Sequence, residues 1–134
     1  MNSKSKAVAD KWNEAQTESD FIRPALDALG WEYIAQASYA KSGKRNIPDY
    51  ALFADAETKK QAYLRKGKPD FYSLASAICD AKYWRRALDA ESPDDSRDAL
   101  SNANPGFQII NYLVSTDRPW GILTNGKLWR LYAQ

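Results

Sequence analysis

The chain has 134 residues, 44% of them hydrophobic, with 19 Lys or Arg against 17 Asp or Glu and a formal net charge of +2. This is one domain's length with enough apolar material for a core, which argues against wholesale disorder, and the overall charge announces no nucleic-acid binder. A single cysteine, Cys79, and the absence of histidine exclude an intrachain disulfide, a zinc cluster and histidine-based catalysis.

Taken in order, residues 1–6 are polar, and Val8, Trp12 and Ala15 recur at helical spacing. Thr17 reads as an N-cap with Asp20 three residues on, a variant of the capping box. Phe21, Ile22, Ala25, Leu26 and Leu29 then form an apolar helical face that Gly30 ends. Pro24 removes a backbone donor inside this pattern, so a kink or a locally altered first turn is expected.

Trp31–Ala37 reads as a strand and Lys41–Asn46 as a turn bearing three positive charges. Ile47–Phe53 is a second strand, with Pro48 at its start. Asp55–Lys66 is rich in helix formers and is broken by Gly67-Lys68-Pro69. Leu74–Tyr83 reads as a third strand. Leu88–Asn104 has almost no large apolar residue and reads as a loop. Asn104-Pro105 offers an N-cap and a first helical residue, followed by an apolar stripe of Phe107, Ile110, Leu113 and Val114. Asp117-Arg118-Pro119 ends that helix. Trp120–Thr124 and Leu128–Tyr132 alternate as strands across Asn125-Gly126, a strong hairpin signal. Trp120, Trp129 and Tyr132 are most simply core or sheet-face residues.

The chemistry centres on Ala77–Trp84. Asp80 and Lys82 stand two apart, so a strand puts both on one face, about 7 Å apart along the backbone. A second carboxylate, Asp49, lies 31 positions upstream, far enough for a strand, a connection and a return strand. Two carboxylates and a lysine at one sheet end suit a divalent metal beside a phosphate. Each also has a plainer reading: Asp49 as a turn or edge charge, and Asp80–Lys82 as a surface ion pair contributing little. The apolar neighbours Ile78, Cys79, Tyr83 and Trp84 favour a buried strand, where charges seldom lack a role or a partner. From Lys41 to Lys68, eight Lys or Arg face three Asp or Glu, a local basic excess that suits a phosphate backbone or a solvated loop. Lys44 and Arg45, within it, and Arg85 and Arg86, beside two aromatics, are the candidate DNA contacts.

Pro48-Asp49 with Asp80-Ala81-Lys82 resembles the PD-(D/E)xK motif of restriction-endonuclease-like nucleases. Thr17-Glu18 opening a helix that ends Leu29-Gly30-Trp31, Gln108 to Tyr112 as a QxxxY pattern, and the closing Trp120–Gly126 and Trp129–Tyr132 hairpin add to the resemblance. Together they resemble the N-terminal nuclease domain of type I restriction subunits and of fused restriction–modification enzymes, over roughly residues 17 to 132. The resemblance implies an α/β (or α+β) restriction-endonuclease-like core: a central mixed sheet of about five strands with helices on both faces. It implies a metal-dependent DNA endonuclease with Asp49 and Asp80 as Mg²⁺ ligands, Mn²⁺ being able to substitute.

By the same resemblance, Lys82 serves the attacking water, Gln108 and Tyr112 orient phosphate or the lysine, and Glu18 reaches the metal site. The helix dipole alone also accounts for Glu18 at a first turn, and Gln108 and Tyr112 also read as a surface pair. The implied partners are DNA and methyltransferase and target-recognition modules, in the same or an associated chain. Residues 1–134 are thus expected to be a single nuclease-like domain at the N-terminus of a longer protein. A non-catalytic DNA-binding or assembly domain and a repair or recombination nuclease remain alternatives. No apolar run approaches the roughly 20 residues of a membrane span, and no signal-peptide core is visible, so a cytoplasmic location without membrane partners is expected.

Overall fold

The structure is a computed structural model that describes residues 14–35, 47–68, 70–84, 86–88 and 104–134. Three helical segments come first: α1 (Glu14–Thr17), a π-helical turn (Glu18–Ile22) and α2 (Arg23–Ala28). They form one run, since Thr17 and Ile22 at the junctions both have right-handed helical dihedrals. Thr17 is therefore interior and not the predicted N-cap. The expected kink takes the form of the π turn. Pro24 cannot donate, and its ring crowds the carbonyl four residues back. The backbone upstream widens, and the Arg23 N–H bonds the Glu18 carbonyl five residues back. The run ends as its glycine predicts. Gly30 has φ +86°, its N–H bonds the Asp27 carbonyl, and the Trp31 N–H bonds that of Leu26, a Schellman stop.

The sheet has five strands in sequential order: β1 (Glu32–Ala35), β2 (Tyr50–Phe53), β3 (Ala77–Ala81), β4 (Trp120–Thr124) and β5 (Trp129–Ala133). Only β3 and β4 run parallel; the other three neighbouring pairs are antiparallel. The sheet is therefore mixed and the fold α+β. Helix α3 (Ala56–Tyr63) follows β2, its N-cap Asp55 accepting the Thr58 N–H at 2.7 Å. A short 3-10 turn (Phe71–Leu74) leads into β3, and α4 (Pro105–Thr116) links β3 to β4. Parallel neighbours need such a crossover, whereas β4 and β5 close as a hairpin. Gly126 holds φ +93° in that turn. β2 and β3 are shorter than the predicted Ile47–Phe53 and Leu74–Tyr83 runs, because hydrogen-bonded pairing covers only part of each, whereas β4 has its predicted bounds and β5 is shifted by one residue. The candidate helix upstream of Glu14, the charged 41–46 turn and most of the 88–104 loop lie outside the described residues.

Strand alternation sorts the core into two layers. On one face, Tyr50, Leu52, Ala77, Cys79 and Ala81 meet Ile22 and Leu26 of the first helical run. On the other, Ile78 and Leu123 meet Ile109, Tyr112 and Leu113 of α4, while Ala51, Phe53 and Ile34 meet Ala62 of α3. Every residue of β2 and β3 is buried, and β5 is an exposed edge.

Helix α4 reverses part of its predicted orientation. Phe107, Ile110 and Val114 are exposed, while Gln108, Ile109, Tyr112, Leu113 and Thr116 face inward. Two local causes are visible. A Cβ on Gly121 would stand 3.0 Å from Ile109 Cγ1 and 3.1 Å from Leu113 Cδ2, so that glycine admits these side chains to the sheet. Gln108 can also be buried without cost in unpaired polarity because a strand residue supplies its partner. Trp120 and Trp129 are exposed sheet-face residues, and Tyr132 is partly buried against the α4 layer. Among the described residues no helix is long and apolar enough to cross a membrane.

Candidate active site

The site lies where β2 begins and β3 ends. Tyr50 pairs with Cys79 across the antiparallel ladder, so one further step sets Asp49 opposite Asp80. Alternation then puts Asp49, Asp80 and Lys82 on the same sheet face, the one covered by α4. Pro48 has no N–H to give the ladder, and at this position a side chain does the pairing. Asp49 Oδ2 accepts the Ala81 N–H at 2.7 Å. On the other side, the Lys82 N–H donates to the Thr124 carbonyl at 2.8 Å, extending the β3–β4 register past the end of the strand. The two successive peptide N–H groups of Ala81 and Lys82 are thus held from opposite sides, one by Asp49 and the other by β4.

Asp80 is buried, at 2% exposure. Lys82 Nζ stands 3.1 Å from Asp80 Oδ2 and donates to Gln108 Oε1 at 2.8 Å. The ammonium forms an ion pair with Asp80, yet among the described residues no hydrogen bond is aligned on that oxygen. A buried carboxylate oxygen with an ionic neighbour and unused lone pairs is an unusual feature, because buried acceptors are ordinarily bonded. The Lys82–Gln108 bond explains why α4 turns an amide inward. Tyr112, one turn on, lies on the same buried face, and its carbonyl accepts from the Thr116 hydroxyl at 2.7 Å.

Glu18 approaches from the opposite sheet face. The Tyr50 hydroxyl donates to Glu18 Oε1, and Arg23 Nε donates to that hydroxyl at 3.0 Å. Arg23 also stands over the Tyr50 ring, 5.7 Å from its centroid. Burial pushes the Glu18 carboxyl up; the Tyr50 bond and the Arg23 charge oppose this, and the Asp80 charge adds to it. Burial likewise raises the Tyr50 hydroxyl, and its bond to Glu18 adds to the rise. The Cys79 thiol, on the strand between these groups, is raised by burial first and then by the charges of Asp80, Asp49 and Glu18. Three carboxylates therefore bear electrostatically on one point of β3. Among the described residues no three Asp, Glu, Cys or His side chains are clustered closely enough to hold a metal together. Asp49 and Asp80 remain as the direct carboxylate pair, and Mg²⁺ needs only one or two carboxylates because it keeps several waters.

No family model, curated protein or solved structure matches this chain.

Of the candidate residues read from the sequence, Asp49, Asp80, Lys82 and Gln108 come together, with Tyr112 beside them on α4 and Glu18 on the far side of the sheet. Lys44, Arg45 and Arg85 lie outside the described residues. Arg86 is corrected: at 3% exposure its guanidinium is not presented to a DNA backbone. Its Nη1 donates to the Ala87 carbonyl, and its own carbonyl accepts from Asn125 Nδ2 at 2.8 Å. Arg86 belongs to the join between the segment after β3 and the β4–β5 turn.

Thr17 also acquires a role the cap reading hid. Fully buried, it accepts the Trp84 N–H at 3.1 Å and so fastens the first helical run to the chain just past Lys82. Tyr50 and Arg23 were not singled out by sequence reasoning. The available signal was an aromatic immediately after Asp49, on the strand face opposite to it, which reads as core packing when taken alone.

Proposed function

We propose that this chain is a metal-dependent DNA endonuclease domain of a restriction–modification type system, with a restriction-endonuclease-like core. The observation that supports this best is the grouping of Asp49, Asp80 and Lys82 on one face at the shared end of β2 and β3, with Lys82 tied to Gln108. The donor set fits a hard divalent cation: both carboxylates offer oxygen, and Asp80 Oδ2 is buried with no aligned hydrogen bond among the described residues, only the Lys82 ammonium 3.1 Å away. In this reading Asp49 and Asp80 hold Mg²⁺, or Mn²⁺ in its place, which would lower the pKa of water and offset phosphate charge.

The chain's own residues supply the rest. Lys82 keeps a cation beside the carboxylates, where an attacking water loses its proton and the phosphate gathers negative charge. Gln108 Oε1 fixes the direction of the ammonium, so the charge is already oriented before DNA arrives. Asp49, gripping the Ala81 N–H, holds the strand end in place. Tyr112 supports the same wall of the site. DNA is the substrate, and methyltransferase and target-recognition modules are the partners that would supply sequence choice.

The test is calorimetric Mn²⁺ binding beside plasmid nicking, with the unaltered chain and with Asp80→Asn. Mn²⁺ binding and nicking by the unaltered chain, both falling in the variant, are the expected result. A chain that binds DNA but neither binds Mn²⁺ nor nicks would overturn the nuclease reading in favour of a non-catalytic DNA-binding domain.

A further inference from the structure

We propose that β5 joins two copies of this chain edge to edge, as a two-fold antiparallel extension of the sheet centred on Leu131. The assembly does not depend on the nuclease reading. Its first support is an open edge. The Asn125 N–H donates to the Leu128 carbonyl at 3.3 Å, and the Gln134 N–H donates to the Pro119 carbonyl at 3.0 Å. Backbone direction alternates along an antiparallel ladder, so Leu128, Arg130, Tyr132 and Gln134 turn their bonding groups towards β4. Trp129, Leu131 and Ala133 turn theirs outward, where no other described strand pairs with them. Such edges are ordinarily blunted by a charge, a proline or a bulge. β5 has no proline, its register with β4 is unbroken, and its one charge, Arg130, lies on a residue whose backbone faces inward. The outward residues instead carry exposed apolar side chains, Leu131 at 65% and Trp129 at 37% exposure.

The second support is that the strand is complementary to itself in one register. With the axis at Leu131, all five residues of β5 pair, and Trp129 stands opposite Ala133 of the other copy. Ala133 is also the ladder partner of Trp120 in its own chain, and Trp120 is exposed on the same face. The small alanine therefore lies between two indoles and leaves room for both. In the next row, Ile122 and Leu131 of each copy form one apolar line across the join. On the other face Arg130 stands opposite Tyr132, so no like charges meet. Centring the axis on Arg130 would set two guanidinium groups opposite each other, which destabilises a pair. Centring it on Tyr132 would place the partner of Trp129 beyond the strand. The outward groups of the three residues exchange about six hydrogen bonds, two for each bonded pair. A strand from a different protein is the competing occupant.

Leu131→Lys and Leu131→Glu separate the two, because a residue on the axis meets its own copy. The side chain is exposed in the single chain, so both variants should melt like the unaltered protein. Sedimentation is measured at about 100 μM chain, a concentration suited to a small interface. The unaltered 134-residue chain should sediment at twice its 15.1 kDa mass. Each variant alone should sediment as a single chain, its dissociation constant raised by at least about a hundredfold by the like charges. An equal mixture of the two should recover the double mass, since Lys and Glu then oppose each other. An unaltered chain that stays single overturns the inference and leaves the edge to a strand of another protein. A Leu131→Lys protein of double mass overturns it by putting the contact elsewhere, and a mixture that stays single rejects the axis at Leu131.

Discussion

Replacing Lys82 by Met tests the centre of the site, because it removes the ammonium and keeps most of the stem. Lys82 Nζ lies 3.1 Å from Asp80 Oδ2, and at an effective dielectric of ~20 that contact is worth about 5 kcal/mol of attraction. Desolvation of both groups offsets much of this in the intact protein. Removal of one partner is a different matter. Asp80 stays buried with its charge uncompensated, and such single deletions cost about 3–5 kcal/mol. Lys82 retains some solvent contact, with its side chain 18% exposed, so the lower end, ~3 kcal/mol, is the expected loss. For a domain of this length, that lowers Tm by about 10 °C.

Divalent metal should reverse much of the loss. Mn²⁺ replaces the missing positive charge beside Asp80, and a ligand at a hundred times its Kd stabilises by about 2.7 kcal/mol. The variant is therefore expected to melt well below the unaltered chain in chelator and to recover most of the gap in Mn²⁺. Its Mn²⁺ affinity should be equal or higher, because a competing cation has gone. Plasmid nicking should fall by about a hundredfold, the size of a lost transition-state donor. Differential scanning calorimetry with and without Mn²⁺, beside a nicking assay, measures all of this. A Tm unchanged in chelator would mean that Asp80 does not depend on Lys82. Normal nicking would make Lys82 a structural charge and the mechanism wrong.

Two other expectations follow from different parts of the chain. Replacing Lys44 and Arg45 together by Ala should reduce the slope of log Kobs against log salt for duplex DNA by up to about two units, and an unchanged slope would put DNA elsewhere. Gly126→Ala should destabilise the domain by at least ~2 kcal/mol in urea titration, since a side chain is strained at φ +93° and its Cβ would stand 2.9 Å from Thr17 Cγ2 and 3.0 Å from Trp84 Cε3. A cost under about 0.5 kcal/mol would show that the turn and helix yield easily at this point.

Local chemistry was legible in the sequence wherever one residue's own geometry decides the outcome. Gly30 stops a helix because it accepts φ +86°, Asn104 caps α4 through its own side chain, and Asn125-Gly126 turns the last hairpin. The shared face of Asp80 and Lys82 follows from strand alternation alone. What the sequence left open was set by contacts between segments far apart. Both Phe107–Ile110–Val114 and Ile109–Tyr112–Leu113 lie on α4 at helical spacing, and periodicity gives no reason to bury one and not the other. The missing side chain of Gly121 and the ammonium of Lys82 choose the second. Arg86 was legible as a cation, but its burial depends on the turn that returns from β4. Glu18 was legible as a helix-start acid. Its place behind the carboxylate pair comes from Tyr50 and Arg23, which meet it only when β2 lies under the first helical run. Spacing along one element determines which side chains share a face, whereas burial and partnership depend on what another element brings to that face.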